Sequence, residues 1–457
     1  MIDSPSARRP LAQLRTAMDQ SPATVAAMAI LAVLAAVLAA HLVLALTGQQ
    51  SALWPLRDLL RGEVTDTKDS WSVMLMAHEW LRLNPGNDGE LYQEIFFTGG
   101  HKFQYAPTSL LPVDLLAAFG LEPSIQLMNQ VNRGVFLASL AGLSALVWLA
   151  VPRLSGGGSG ADITRARLVL TLAAPVAGVV FFPLIFAYDV GQLQAWINGL
   201  FIAAAIAWLL DRPVAAGVLI GLVCLLKPQF GLFLFWGLLR REWRFAAALA
   251  ITGTVGLALS VALYGFNSHL AYLEVLSFLS RHGESYIANQ SANGMLHRLF
   301  GNGEVAEFES LGFPPFHAGV YAGTLIVTLG LLALLGFLRR REGCGRLMDF
   351  LLAALVFTAA SPIAWEHHYG VLMPMFALLA AGWVGAAPGR AYWRAGAVAG
   401  AIFFTACLPL WAALAHHPAL FLLQSNLYIA ALALAALIWR LAQGQWRIVR
   451  PKFVRAA

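Results

Sequence analysis

Apolar residues run in blocks of helical length almost from one end of the chain to the other, and short polar turns separate them. The blocks predict membrane helices over 24–47, 125–151, 168–187, 193–211, 213–226, 229–239, 244–265, 318–338, 347–362, 368–385, 395–414 and 419–440. A full span needs roughly 20 residues. The blocks 213–226 and 229–239 fall short of that, and they meet at "LLKPQFG", which reads as one broken helix pair.

Between the blocks lie two long stretches, 48–124 and 266–317, where polar and apolar positions mix. In the first, Trp71, Met74, Leu75, His78 and Leu81 recur at i, i+3 and i+4, the spacing of an amphipathic helix. Further on, "YAPTSLLPVDLLAAFG" offers about a dozen apolar residues opening at a proline. Both segments predict helices lying on the membrane surface.

Composition narrows the class. Hydrophobic residues make up 59% of the 457 and charged residues 12%, with a mean hydropathy of +0.68, which excludes an ordinary soluble domain. The expected fold is an all-α polytopic membrane protein of about 12 helices, with 1–457 as a single integral membrane domain. The first block follows Arg8, Arg9 and Arg15, is too long for a signal-peptide core, and ends without an A-x-A cleavage site. It is expected to be retained.

Charge sets the expected orientation. With the N-terminus inside, one set of loops collects 21 of the 30 lysines and arginines, and the other carries 17 of the 24 acids. Positive charge marks the cytoplasmic face. Both termini are therefore expected in the cytoplasm, and 48–124 and 266–317 become loops on the periplasmic or exterior face of the inner membrane. The basic balance is topological and gives no reason to expect nucleic acid. Cys224, Cys344 and Cys407 show neither disulfide nor zinc spacing.

Polar side chains are costly near a bilayer unless paired or wet, so those at the outer breaks draw interest. Asp66 and Asp69 precede the first amphipathic helix, where a carboxylate can simply cap a helix N-terminus. "FAYDVGQLQAWINGL" gives Asp189, Gln192 and Asn198. Lys227 stands between two apolar halves, and "ANQSANGMLHRLFG" supplies Asn289, Gln290, His297 and Arg298. "SPIAWEHHYG" adds Trp365, Glu366, His367 and His368. Each has a bland reading as a cap, a snorkelling side chain or an interfacial ring. Their convergence on one face predicts a polar cavity suited to an anionic substrate with a lipid tail.

The ordered set resembles glycosyltransferase family 87, the polyprenyl-phosphate-mannose-type transferases of the GT-C superfamily. The matching features begin with an aspartate leading into an amphipathic helix and "LY" (Asp69 to Tyr92), then F-x-Y-x-P (Phe103, Tyr105, Pro107). They continue with GQ-x5-N (Gly191, Gln192, Asn198), Gly217 and Gly221 ahead of Lys227 and Pro228, Asn289 to Arg298, and SP-x-x-W-x-HH (Ser361 to His368). The family often has two prolines after the tyrosine, where this chain has Ala106.

The resemblance implies a GT-C fold and an outward-facing active site. The donor it implies is a polyprenyl-phosphate sugar and the acceptor a lipid or glycan. It further implies an inverting transfer with Asp69 as base and Asp66 as the second candidate. Lys227, Arg298, His367 and His368 would be donor-phosphate ligands. Gln192, Asn198, Asp189, Tyr105, Asn289, Gln290, Trp365 and Glu366 would line the substrate. No cofactor is expected, although Asp66, Asp69 and Glu366 leave room for a divalent cation. A rival class is a lipid or glycan transporter, where broken helices surround a buried lysine. No internal repeat relates the two halves here.

Overall fold

Proline opens and glycine closes many of the helices. The computed structural model describes residues 22–48, 53–62, 69–154, 160–308, 312–337, 344–385, 400 and 417–443. Asp66 and, apart from residue 400, the expected helix 395–414 lie outside the described residues. The helices, in order, are α1 (Pro22–Leu46), α2 (Leu53–Arg61), α3 (Asp69–Leu83), α4 (Leu111–Ala118), α5 (Ile125–Leu154) and α6 (Gly160–Val180). There follow α7 (Phe182–Asp189), α8 (Leu193–Leu209), α9 (Pro213–Leu226), α10 (Leu232–Leu239), α11 (Trp243–Tyr264) and α12 (Phe266–His282). The last are α13 (Ala292–Phe300), α14 (Ala318–Phe337), α15 (Cys344–Ala359), α16 (Met373–Gly385) and α17 (Asn426–Gln443). Among the described residues there is no β-strand, only an isolated antiparallel bridge between Asn289 and Trp365.

Ala23–Leu46, Ile125–Leu154, Gly160–Val180, Trp243–Tyr264 and Ala318–Gly336 are long and apolar enough to cross a bilayer. This is a multi-pass membrane protein. The remaining apolar helices are shorter. Among them Pro213–Leu226 and Pro228–Leu239 meet at Lys227, as the break in the sequence suggests. Pro107–Ala118 is also one of the short ones, and α3 forms as the i, i+3, i+4 pattern predicts.

Three features differ from the sequence pattern. Helix α6 starts at Gly160 and absorbs "TRAR", which the charge had suggested was a loop. There the Arg167 guanidinium lies 3.5 Å from the Trp148 ring centroid and its Nε donates to the Trp148 carbonyl at 2.7 Å. The stem stays on apolar surface while the charge finds a partner. The expected span to 187 breaks at Phe181, whose extended backbone separates α6 from α7. The second long stretch is largely helical, because Asp88 Oδ2 accepts from Asn267 N at 2.9 Å and Ser268 N at 3.3 Å and so caps α12.

Packing joins distant segments. Helix α5 lies against α6, α8 and α16; α9 lies between α8 and α11; α15 packs on α17. Phe201, Trp208, Phe233, Trp236, Phe245 and Phe350 form one aromatic layer where α8, α10, α11 and α15 meet. Phe233 is fully buried, and truncating such a ring costs roughly 3 kcal/mol or more. At the end of the bundle away from Lys227, Arg346 grips Glu242 at 2.6 Å and Asp211 at 2.8 Å. Helix α1 is tied to α6 at its start. The Ala23 and Thr24 N–H groups each donate to Asp162 at 3.0 Å, and Thr24 Oγ1 donates to it at 2.5 Å.

Candidate active site

The site begins where α3 meets the loop between α7 and α8. Asp69 N donates to Val190 O at 2.9 Å and Ser70 N to Gly191 O at 3.2 Å. Gly191 turns the chain there with φ of +63°, a conformation that side chains disfavour. The Gln192 amide then spans the cluster. Its Nε2 donates to Asp69 Oδ2, while its Oε1 accepts from Ser70 Oγ and Tyr105 Oη, each at 2.9 Å. Ser70 Oγ and Tyr105 Oη are 2.7 Å apart. Asp69 presents part of its surface to solvent at the start of α3, and its Oδ1 meets no protein donor among the described residues. Burial against the surrounding protein raises its pKa above the ordinary carboxylate value, opposed by the Gln192 bond and the Lys102 charge.

Two residues along α8, Gln194 carries the other half of the site. Its Oε1 accepts from Lys227 Nζ at 3.1 Å and its Nε2 donates to Asn198 Oδ1 at 2.9 Å. Two of the three Lys227 N–H groups are unused by the protein among the described residues, and no carboxylate pairs with it. The Lys227 charge acts on both His367 and His368, whose rings meet edge to face at 4.8 Å. His367 Nε2 is buried without a hydrogen-bond partner. Burial, with the Lys227 charge beside it, pushes His367 down to about 3, so the ring is neutral. His368 Nδ1 accepts from the Trp365 N–H at 3.1 Å. Gly370 completes the arrangement, since a Cβ there would lie 2.1 Å from Asn198 Nδ2.

The residues around Arg298 are differently employed. Its Nη1 and Nη2 each reach Asn289 O at 3.2 Å, and Nη2 also donates to Ser425 Oγ at 2.8 Å. Asn289 Nδ2 donates to Glu284 O at 2.7 Å and Pro362 O at 3.2 Å, and its Oδ1 accepts from Ala364 N at 3.0 Å. Gln290 donates to Ile287 O at 2.7 Å and Gln424 O at 2.8 Å, and accepts from Leu427 N at 3.1 Å. These three buried residues clamp the second long stretch to the Trp365 break and to α17. Glu366, half-buried, is pushed up to about 8 by burial, with the Arg298 charge pulling it down. Asp189 ends α7 one turn from Gln192 and acts by charge on Tyr188.

An apolar groove of about 830 Å³ runs between α5, α8, α9 and α11, with α4 along it. Its walls include Leu111, Leu115, Val135, Ile202, Leu225 and Val255. Trp196 and Leu226 also line it, the first two residues after Gln194 and the second immediately before Lys227. Lys227 follows directly on the lining residue Leu226 in the chain but does not itself line the groove.

A model of glycosyltransferase family 87 matches residues 103–362. The chain belongs to glycosyltransferase family 87. A 217-residue stretch is 28% identical to a protein of Mycolicibacterium smegmatis, a "polyprenol-phosphate-mannose-dependent alpha-(1-2)-phosphatidylinositol mannoside mannosyltransferase". That stretch covers 47% of this chain and 48% of the relative, so the two correspond over about half their lengths. No solved structure matches the chain.

Within the interval shared with family 87, the structure brings Tyr105, Gln192, Asn198 and Lys227 together. Asp69, His367 and His368 lie outside that interval, yet they reach the same place through Gln192, Lys227 and Gly370. Sequence reasoning missed Ser70, Gln194 and Lys102. A buried glutamine two residues after Gln192 was the available signal, since an unpaired amide in an apolar helix is costly. Among the described residues, no three His, Cys, Asp or Glu side chains are grouped to hold a metal ion.

Proposed function

We propose that this glycosyltransferase moves a hexose or pentose, mannose foremost, from a polyprenyl phosphate to a lipid or glycan acceptor. It does so with inversion, on the outer face of the inner membrane, with both termini in the cytoplasm. One observation carries the reading. The start of α8 holds a carboxylate on one side, Asp69 through Gln192, and a lysine on the other, Lys227 through Gln194. The apolar groove is lined up to Leu226, the residue before Lys227; a donor with its tail there would present phosphate to Lys227 and its sugar toward Asp69.

The chemistry follows from those positions. Asp69 takes the proton of the acceptor hydroxyl, whose oxygen forms the new bond to the anomeric carbon. The bond from that carbon to the phosphate oxygen breaks on the opposite face, and the electron pair leaves with polyprenyl phosphate. Lys227 and an N–H of the neutral His367, whose Nε2 is unpartnered, stabilise the charge that develops there; His368 accepts from the Trp365 N–H and orients the turn. Exposure lets Asp69 pass its proton to water before the next turnover. Gln192 fixes the carboxylate, and Tyr105 supports Gln192. Asn198 holds the 366–372 turn against α8. Arg298, Asn289 and Gln290 hold Trp365 and Glu366 in place.

The test uses the purified chain in nanodiscs with polyprenyl-phosphate [³H]mannose and a bacterial lipid extract. We expect labelled glycolipid, released polyprenyl phosphate and an inverted anomeric centre. Intact donor after prolonged incubation with the folded protein would refute the reading.

A further inference from the structure

Beside the carboxylate–lysine pair, three rings from separate segments form a shelf. The Phe308 and Trp365 centroids are 5.7 Å apart, Tyr286 and Phe308 are 5.7 Å apart, and Tyr286 and Trp365 are 6.3 Å apart, all at steep tilts. Phe308 is 48% exposed, although it sits in a polar outer stretch where an idle aromatic ring is unfavourable. The shelf is fixed from behind. Gln290 N donates to Ala364 O at 2.8 Å and Glu366 N to Ala288 O at 3.1 Å, which holds Trp365 beside Asn289.

Polar groups stand at the edge of the shelf. Among the described residues, the Glu366 carboxyl makes no hydrogen bond or ion pair, despite being half-buried between Arg298 and Tyr286. Lys102 Nζ lies 4.5 Å from the Phe308 centroid and 2.9 Å from Glu284 Oε2. The Lys102 charge also reaches Asp69, so Lys102 is a common neighbour of the shelf and of the carboxylate.

We infer that Tyr286, Phe308 and Trp365, with Glu366 at their edge, form the acceptor subsite, and that it receives a neutral saccharide or cyclitol ring. The inference rests on the transferase reading and adds where the acceptor lies and what it is. A ring polyol has an apolar C–H face, which gains by leaving water for an aromatic surface, and a rim of hydroxyls, which need partners. Glu366 supplies them, and because burial keeps it largely protonated at neutral pH it both donates and accepts. A phosphorylated headgroup fits less well. Lys102 is ion-paired with Glu284, and both Nη groups of Arg298 are already bonded to the Asn289 carbonyl or Ser425.

The experiment measures transfer from polyprenyl-phosphate [³H]mannose by the purified full-length protein to octyl α-mannoside, to octyl glycerol phosphate, and to an N-acyl Ser/Thr peptide. We expect transfer to the glycoside. Phe308→Ala and Glu366→Ala should raise the KM for octyl α-mannoside about tenfold while the donor KM holds, and Glu366→Gln should recover most of the lost affinity. Phe308 is exposed enough that its truncation leaves the fold intact, which thermal melting checks. The subsite is overturned by an unchanged glycoside KM in Phe308→Ala, by a rise in the donor KM, by preference for the phosphate or the peptide, or by donor hydrolysis without glycoside product. Failure of the wild-type protein to consume donor at all strikes the transferase reading itself, and the subsite with it.

Discussion

Two polar clusters lie at the same end of this apolar bundle, and they use similar residues in opposite ways. Around Asn289, Gln290 and Arg298, buried amides and a guanidinium are spent on main-chain carbonyls, main-chain N–H groups and Ser425. Around Asp69 and Lys227, capacity is left over: a carboxylate oxygen, two ammonium N–H groups and His367 Nε2 meet no protein partner among the described residues. A buried polar group costs free energy until it is satisfied. The first cluster is satisfied largely by the fold itself, with Arg298 Nε the buried exception. The second has capacity that a bound molecule could use, and for that reason we place the proposed transfer there.

Substitutions can break that contrast, and the largest effect is expected at Asp69. Asp69→Asn keeps the size of the side chain but removes the base, so turnover should fall about 10³-fold, within the span of general-base catalysis. Donor binding, measured with a labelled lipid, should persist, and near-normal turnover in this variant would move the base elsewhere. At Arg298 the loss should fall on stability instead. Arg298→Ala strips Asn289 O and Ser425 of their partner and opens a cavity, and roughly 3 kcal/mol of stability should go with them. An unaltered melting temperature coupled to a lost donor affinity would place Arg298 in the substrate site after all.

Lys227→Ala should lower turnover about 100-fold, the effect of losing one fixed charge from a developing oxyanion, with melting little changed. If melting falls and turnover per folded molecule does not, Lys227 belongs with the braces. The smallest effect concerns pH. The base must be ionised, and burial raises the Asp69 pKa, so the acid limb of kcat/KM should lie above the ordinary carboxylate range of about 4. Lys102 opposes that rise, so Lys102→Met should displace the limb to still higher pH. A limb that stays put would remove Lys102 from the surroundings of the base.

The sequence carries some of this plainly. Blocks of apolar residues announce the helices, and an isolated charge among them, such as Lys227, announces itself by its cost. The spacing of Trp71, Met74 and His78 foretells α3. Other features have no such trace. The acceptors of Arg298 and Asn289 are main-chain carbonyls, which every residue possesses, so nothing in the residue types separates a brace from a ligand. Lys102 and Glu284 pair across 182 positions, and Gln194 looks like any amide near a helix start until Lys227 is seen against it. The capping of α12 by Asp88 is equally distant in sequence, and for that reason the second long stretch reads as loop.

The Asp162 contact with the start of α1 bears on how the protein is made. The first N–H groups of α1 find their acceptor 138 and 139 residues downstream. A nascent chain therefore places α1 in the bilayer with that end bare and gains its cap only when α6 arrives. The cap that fixes the start of α1 is therefore a product of the fold rather than of the segment that precedes it in synthesis.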